Sequence, residues 1–273
     1  MQRFKQLFPI HKCNIIGMIH VGALPGTPKY KGGFDEIIET AVNEAKIYSK
    51  YSCDGVLIEN MHDIPYVQDK SLGPEITACM TKITSEVIKN IPKSIKCGIQ
   101  ILACGNKQAL AVAKATNAHF IRAEGYVFSH VADEGFTDAN AGHILRYRKS
   151  IDADNILIFT DIKKKHSSHS ITSDVNLVET AHAAEFFLSD GVILTGTATG
   201  DAAKPSDLNE ICGKIDIPIL IGSGVTLENL EDYYEKSNGI IIGSYFKENG
   251  KWDNKLSESR IMEFMRKVEN LRK

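Results

Sequence analysis

Nowhere in this chain do apolar residues run for the roughly 20 positions that a membrane-spanning helix requires. That argues against membrane insertion and predicts a soluble protein. An excess of charge of one sign is missing too. The 273 residues carry a formal net charge of −2, which leaves no electrostatic footprint for nucleic acid as the main partner. The six cysteines (Cys13, Cys53, Cys79, Cys97, Cys104 and Cys212) include no C-x-x-C pair. Several lie inside apolar runs, which points to a reducing interior and not to a disulfide framework. There is no H-E-x-x-H or H-x-x-E-H arrangement, so no metal or other cofactor is assigned. His166 and His169 share a loop with Asp161 nearby, and a divalent ion is the alternative there. A P-loop is absent as well, because Gly196–Gly200 has the wrong spacing and no following Lys-Ser/Thr. Nucleotide hydrolysis is therefore disfavoured. No linker or low-complexity tract interrupts residues 1–273, which read as one domain.

What the chain does contain is a repeated alternation. Eight short apolar runs can be counted: Ile15–His20, Gly55–Glu59, Cys97–Leu102, His119–Glu124, Ile156–Asp161, Gly191–Thr195, Pro218–Gly222 and Gly239–Gly243. Runs of this length bounded by Gly or Pro read as strands buried on both faces. Helical patterns separate them. Ile37, Ile38, Ala41, Val42, Ala45 and Tyr48 form one apolar stripe. Pro74 sits at a first helical position ahead of Ile76, Met80, Ile83 and Val87. Helices are also predicted over Lys107–Ala115, Ala139–Lys149, Asp174–Leu188, Ser206–Lys214 and Ser257–Leu271, with Ser206 and Thr226 as N-caps. Connections from helix to strand are short and those from strand to helix mostly long. The predicted fold is α/β, a single (β/α)8 TIM barrel whose active face lies at the strand C-termini.

Polar residues at those strand ends are then the site candidates. They are His20, Glu59, Arg122, Glu124, Asp161 and Lys163. Side chains two apart on a strand share a face, so Arg122 with Glu124, and Asp161 with Lys163, can point into one cavity. Glu59, Asp161 and His20 suit acid/base work, and Arg122 and Lys163 suit a developing negative charge. Lys163 is also the candidate for a Schiff base. Lys164 and Lys165 read as a solvated surface loop. The competing reading is a salt-bridge network that closes the barrel top.

Two aliphatic runs near the end of the chain finish in Gly222-Ser223-Gly224 and Gly243-Ser244, and Thr195-Gly196-Thr197-Ala198-Thr199-Gly200 precedes them. Glycine-rich turns directly after parallel strands let backbone N–H groups converge on an anion. Their position, at the seventh and eighth strands, is the phosphate site of many barrels. Gly222, Ser223, Gly224, Gly243, Ser244, Thr195 and Gly196 are the phosphate-binding candidates. The expected partner is a phosphorylated small molecule, with a homodimer as the default assembly.

Gly17–Gly26, Asp54–Asn60, Phe120–Glu124, Asp161–Lys163, Asp190–Gly196 and Ile221–Val225 resemble motifs of the BtpA/SgcQ family. The resemblance spans strands one to eight and implies a ribulose-phosphate-binding-type barrel. It further implies a choice between two roles. Cyanobacterial members are tied to photosystem I biogenesis, and bacterial relatives occur with carbohydrate-utilisation genes. No reaction is assigned to the family, so no catalytic role is carried over. The chain departs from the pattern at Met61-His62-Asp63, where a Phe-Gly-Asp-like sequence is expected, and no role is given to His62. The expectation is an isomerase, epimerase or aldol-lyase acting on a sugar-phosphate-like compound, with a non-catalytic assembly factor as the alternative. The first strand begins near Asn14, which leaves little room for a cleavable presequence. Arg3, Lys5 and Lys12 without an early acid are a weak mark of organelle targeting. A cytoplasmic protein is expected, with mitochondria as the alternative.

Overall fold

Strand residues alternate between two environments, and that alternation builds the molecule. The computed structural model describes residues 1–196 and 198–273. Thr197, part of the glycine/threonine turn singled out above, lies outside the described residues. The strands in chain order are β1 (Asn14–His20), β2 (Gly55–Glu59), β3 (Lys96–Gln100), β4 (Phe120–Ala123), β5 (His130–Ala132), β6 (Gly135–Thr137), β7 (Leu157–Asp161), β8 (Ser167–Ser168), β9 (Gly191–Leu194), β10 (Ile219–Ile221) and β11 (Gly239–Ile242). Eight of them close into a parallel barrel in the order β1-β11-β10-β9-β7-β4-β3-β2. The remaining three, β5, β6 and β8, form a small antiparallel sheet.

One parity of each barrel strand fills the interior. Ile16, Met18, Leu57, Phe120, Leu157, Phe159, Ile193, Leu220 and Ile241 pack there as one cluster. The other parity, including Ile15, Ile19, Val56, Ile58, Ile99, Ile121 and Val192, packs outward in the larger core beneath the helices. The stripe predicted on α2 (Phe34–Lys50) buries Ile38, Ala41, Val42, Ala45 and Tyr48. α3 (Pro74–Lys89) starts at its proline and buries Ile76, Met80, Ile83 and Val87.

A helix the apolar pattern does not mark, α1 (Gln2–Leu7), closes the N-terminal end of the barrel. Phe4 lies 5.8 Å from Phe159 and Phe8 lies 6.3 Å from Phe120, ring centre to ring centre. Arg3, taken above as part of a targeting signature, clamps this plug by pairing with Asp190 and the Asp154 carbonyl. Two predicted caps are corrected. The helix after the sixth run is Pro205–Ile211 with Lys204 at its N-cap, because Pro205 occupies the first helical position. The helix after the seventh is Leu230–Tyr234, capped at Asn229, whose Oδ1 accepts from the Thr226 N–H. Among the described residues no helix is long and apolar enough to cross a membrane.

Candidate functional site

The inward parity of the strands, apolar at the bottom of the barrel, turns polar at its C-terminal end. β1 runs Ile16, Met18, His20. β2 runs Leu57, Glu59. β7 runs Leu157, Phe159, Asp161. The register sets His20 opposite Glu59 and Glu59 opposite Gln100 across neighbouring strands. These residues, with Arg122, Glu124 and the turns around Gly222 and Gly243, line a single cavity of about 400 Å³.

Two of the charges in this cavity are tied into tight pairs. Arg122 donates from Nε and Nη2 to the two carboxylate oxygens of Asp161, both at 2.9 Å. This is the bidentate geometry that compensates burial of both groups. Burial alone would weaken the guanidinium's hold on its proton, but Asp161 more than offsets that and raises it. Lys164 lies 3.3 Å from Glu124 and 3.5 Å from Glu134. Burial opposes its charge, and the two carboxylates overcome this and raise its pKa. Glu124 is held below the ordinary carboxylate value, because Lys164 and the Cys104 N–H outweigh the cost of burial.

His20 and Glu59 differ from these pairs. Their closest nitrogen and oxygen are 3.7 Å apart, yet this is not an ion pair. Burial, and then the nearby charge of Lys247, push His20 down to about 3. The ring is therefore neutral at pH 7. Its Nδ1 donates to the Trp252 carbonyl at 3.0 Å, so the lone pair of Nε2 faces Glu59. Burial raises Glu59 to about 7 against the opposing charges of Arg122 and Lys165. A carboxyl that exchanges its proton near neutrality is poised as a general acid or base. Beside it, the Oε1 of Gln100 is buried and has no hydrogen-bond partner among the described residues. A buried acceptor left unpaired is costly, and a donor on a bound molecule would relieve it.

The glycine-serine corners lie on the same rim as these carboxyls. Among the described residues, no internal hydrogen bond occupies the N–H groups of Ser223, Gly224, Gly243 or Ser244. The other phosphate candidates are engaged. The Gly222 N–H donates to the Leu194 carbonyl at 2.7 Å. The Gly196 N–H donates to Ser223 Oγ, which itself donates to the Asp201 carbonyl. Thr195 Oγ1 accepts from the Lys165 N–H, and neither Thr195 nor Gly196 lines the cavity. Gly222 matters through what it lacks, since a Cβ there would sit 3.2 Å from Arg122 Nη2. Gly224 has φ +69 and packs against the Asp201–Ala202 backbone.

Lys163 is a correction. β7 ends at Asp161, and Lys163 has φ +47, so strand alternation no longer applies. Its ammonium donates to the Thr172 carbonyl at 3.1 Å, in a small cleft behind Asp161 and outside the main cavity. The lysines read as a solvated loop are the ones that line the cavity, Lys164 and Lys165. Sequence reasoning also passed over Trp252 and Glu134. The signal for Glu134 was present: His130–Thr137 alternates about Asp133-Glu134-Gly135, a hairpin pattern, and Gly135 has φ +108. For Trp252 there was none. His62 packs on Trp252 at 4.9 Å. Asp63 accepts from the Leu24 N–H and from Asn60. Among the described residues no group of three His, Cys, Asp or Glu side chains is placed to hold a metal ion.

The model of the BtpA family matches residues 11–270. The chain belongs to the BtpA family. A mitochondrial, uncharacterised protein of Caenorhabditis elegans is 48% identical over 263 residues, covering 95% of this chain and 94% of its own. The photosystem I biogenesis protein BtpA of Synechocystis is 29% identical, covering 95% and 89%. Among solved structures, the Pyrococcus furiosus thiamine phosphate pyrophosphorylase superposes with a TM-score of 0.59 at 14% identity, covering 99% of both chains. The phosphoribosyl anthranilate isomerase of Thermus thermophilus gives 0.59 at 8% identity, covering 95% and 100%. These two likenesses establish the shared barrel of this BtpA-family chain.

Proposed function

We propose that this protein is an enzyme acting on a phosphorylated, sugar-phosphate-like small molecule by proton-transfer chemistry of the isomerase, epimerase or aldol-lyase kind. The observation that carries the reading is that one cavity is lined both by Glu59, a carboxyl near 7, and by the Gly224 and Ser244 turns. Backbone amides hold the phosphate, Glu59 moves the proton, and the neutral His20 ring offers Nε2 as a hydrogen-bond acceptor beside it. The Arg122–Asp161 pair supplies fixed polarity. Two barrel neighbours whose own names refer to phosphorylated compounds support the reading. The test uses Trp252, the only tryptophan in the chain, whose fluorescence reports occupancy of the mouth. A panel of aldose and ketose phosphates is titrated against the wild type, and turnover is followed in parallel. Glu59→Gln is expected to bind but to lose about 10²–10⁴-fold in turnover. If the wild type binds no member of the panel, the reading is wrong.

A second reading, a non-catalytic assembly factor for a membrane complex, is favoured by the name of the Synechocystis relative, a photosystem I biogenesis protein. The exposed run Phe186, Phe187 and Leu188 is the surface it would use. Full rescue of a strain lacking the protein by Glu59→Gln would favour this reading over the first. We place the protein in the cytoplasm, and subcellular fractionation would separate this from a mitochondrial location.

A further inference from the structure

We infer that Lys165 is the nucleophilic amine of this site, forming a Schiff base with the carbonyl carbon of a phosphorylated aldehyde or ketone. The inference rests on the reading that the cavity takes a phosphorylated small molecule, and it narrows that molecule to one with a free carbonyl. It starts from three consecutive lysines with three different fates. Lys163 points away and donates to the Thr172 carbonyl. Lys164 is locked between Glu124 and Glu134. Lys165 lines the cavity and makes no ion pair among the described residues; its Nζ has only Thr199 Oγ1, at 3.4 Å. The chain is turned to achieve this. Lys163 and His166 both have positive φ, and Thr195 Oγ1 accepts the Lys165 N–H at 3.1 Å, fixing the backbone beside the barrel rim.

The electrostatic setting loosens the amine's hold on its proton. Burial, and then the neighbouring Arg122 guanidinium, lower the Lys165 pKa against the pull of Glu59, Asp161 and Glu124. Asp161 is already bound bidentately by Arg122, and Glu124 by Lys164, so neither quenches the amine directly. An amine desolvated beside a second cation is the activated form for carbonyl addition. The nitrogen lone pair adds to the carbonyl carbon, and the oxygen takes up a proton as the nitrogen releases one, giving a carbinolamine. Glu59 in its protonated form then gives a proton to the hydroxyl, which departs as water while a C=N bond forms. The product is a protonated imine beside the Glu59 carboxylate, which is the base for the proton on the adjacent carbon. Water returns the amine and the carbonyl.

The test is reductive trapping on the full chain. Wild type is incubated with D-ribose 5-phosphate, dihydroxyacetone phosphate or glyceraldehyde 3-phosphate, reduced with sodium borohydride, and the adducted lysine is located by peptide mass spectrometry. Lys165 is expected to carry at least about tenfold more adduct than any other lysine, since its amine lines the cavity in which the phosphate ester is held beside it. Lys165→Arg is expected to abolish the adduct and still bind the same compounds, as read from Trp252 fluorescence, which also shows that the variant is folded. Binding without an adduct in wild type, or an adduct no greater on Lys165 than on Lys163 and Lys164, overturns the inference and leaves the phosphorylated-ligand reading intact. Absence of binding by every compound overturns both.

Discussion

Glu59→Gln is expected to make the protein more stable, and by an amount that depends on pH. In the folded chain the carboxyl sits at about 7, against an ordinary value of 4.5, chiefly because burial penalises its charged form. The folded state therefore holds a proton that the unfolded state has released between these two values. Stability associated with this group is full below 4.5 and falls as pH rises through 7. At pH 5 the penalty in wild type is below about 1 kcal/mol, and at pH 8 it is about 3 kcal/mol, from 1.36 kcal/mol per pKa unit. Glutamine keeps the shape and cannot ionise. The stability difference between variant and wild type should accordingly grow by about 2.5 kcal/mol from pH 5 to pH 8. His20 drops out of the comparison, because its low pKa of about 3 is present in both proteins. Urea unfolding at the two pH values measures the difference directly. A gap that is the same at pH 5 and pH 8 would refute the claim that Glu59 is raised by burial, and with it the assignment of Glu59 as the proton-transfer group. A gap of the predicted size, paired with lost turnover, would mark a residue kept for chemistry at a cost in stability.

Two further substitutions test the rest of the rim. Asp161→Asn removes one half of a buried bidentate pair and leaves Arg122 charged and uncompensated; a loss of about 3–5 kcal/mol in urea unfolding is expected, and a loss under 1 kcal/mol would mean that the pair is solvated. Gly224→Ala places a side chain at φ +69 against the Ala202 backbone, and the expected result is a loss of about 1 kcal/mol or more together with weakened phosphate-ester binding, while unchanged binding would remove this corner from the anion site.

Much of this architecture can be read from the chain because the barrel has one rule. Period two carries Ile16, Met18 and His20 along one face of β1, and Leu157, Phe159 and Asp161 along one face of β7. A polar residue that continues an inward apolar row must meet the mouth. The rule holds while the strand lasts and fails one residue after it ends, which is why it misplaces Lys163 and misses Lys165. The positive φ at Lys163 and His166 are non-glycine turns with no mark in the local sequence. Gly196 and Ser223 show a different limit. Their residue types suit an anion, but a serine hydroxyl that can reach a neighbouring loop bonds to it, and here it takes the Gly196 N–H. Trp252 and the plug of Phe4 and Phe8 depend on contacts with residues distant in sequence. No window of neighbouring residues contains that information.

The closed order of the barrel gives these parts a further consequence. β1 lies between β11 and β2, so the acid/base pair adjoins the proposed phosphate corner instead of facing it across the mouth. Gly243 makes the closeness feasible: a Cβ there would come within 3.2 Å of the His20 ring. Counted from the Ser244 corner after β11, a bound phosphate ester meets His20 one strand away, Glu59 two strands away and the Gln100 acceptor three strands away. That spacing suits a short chain of carbons bearing a hydroxyl at its far end, and a cavity of about 400 Å³ falls at the small end of ligand pockets. It also separates the roles of the two tied cations from that of Lys165. Arg122 and Lys164 each have their carboxylate and hold their charge whether or not a ligand is present. Of the three, Lys165 is the one that lines the cavity with no ion pair among the described residues.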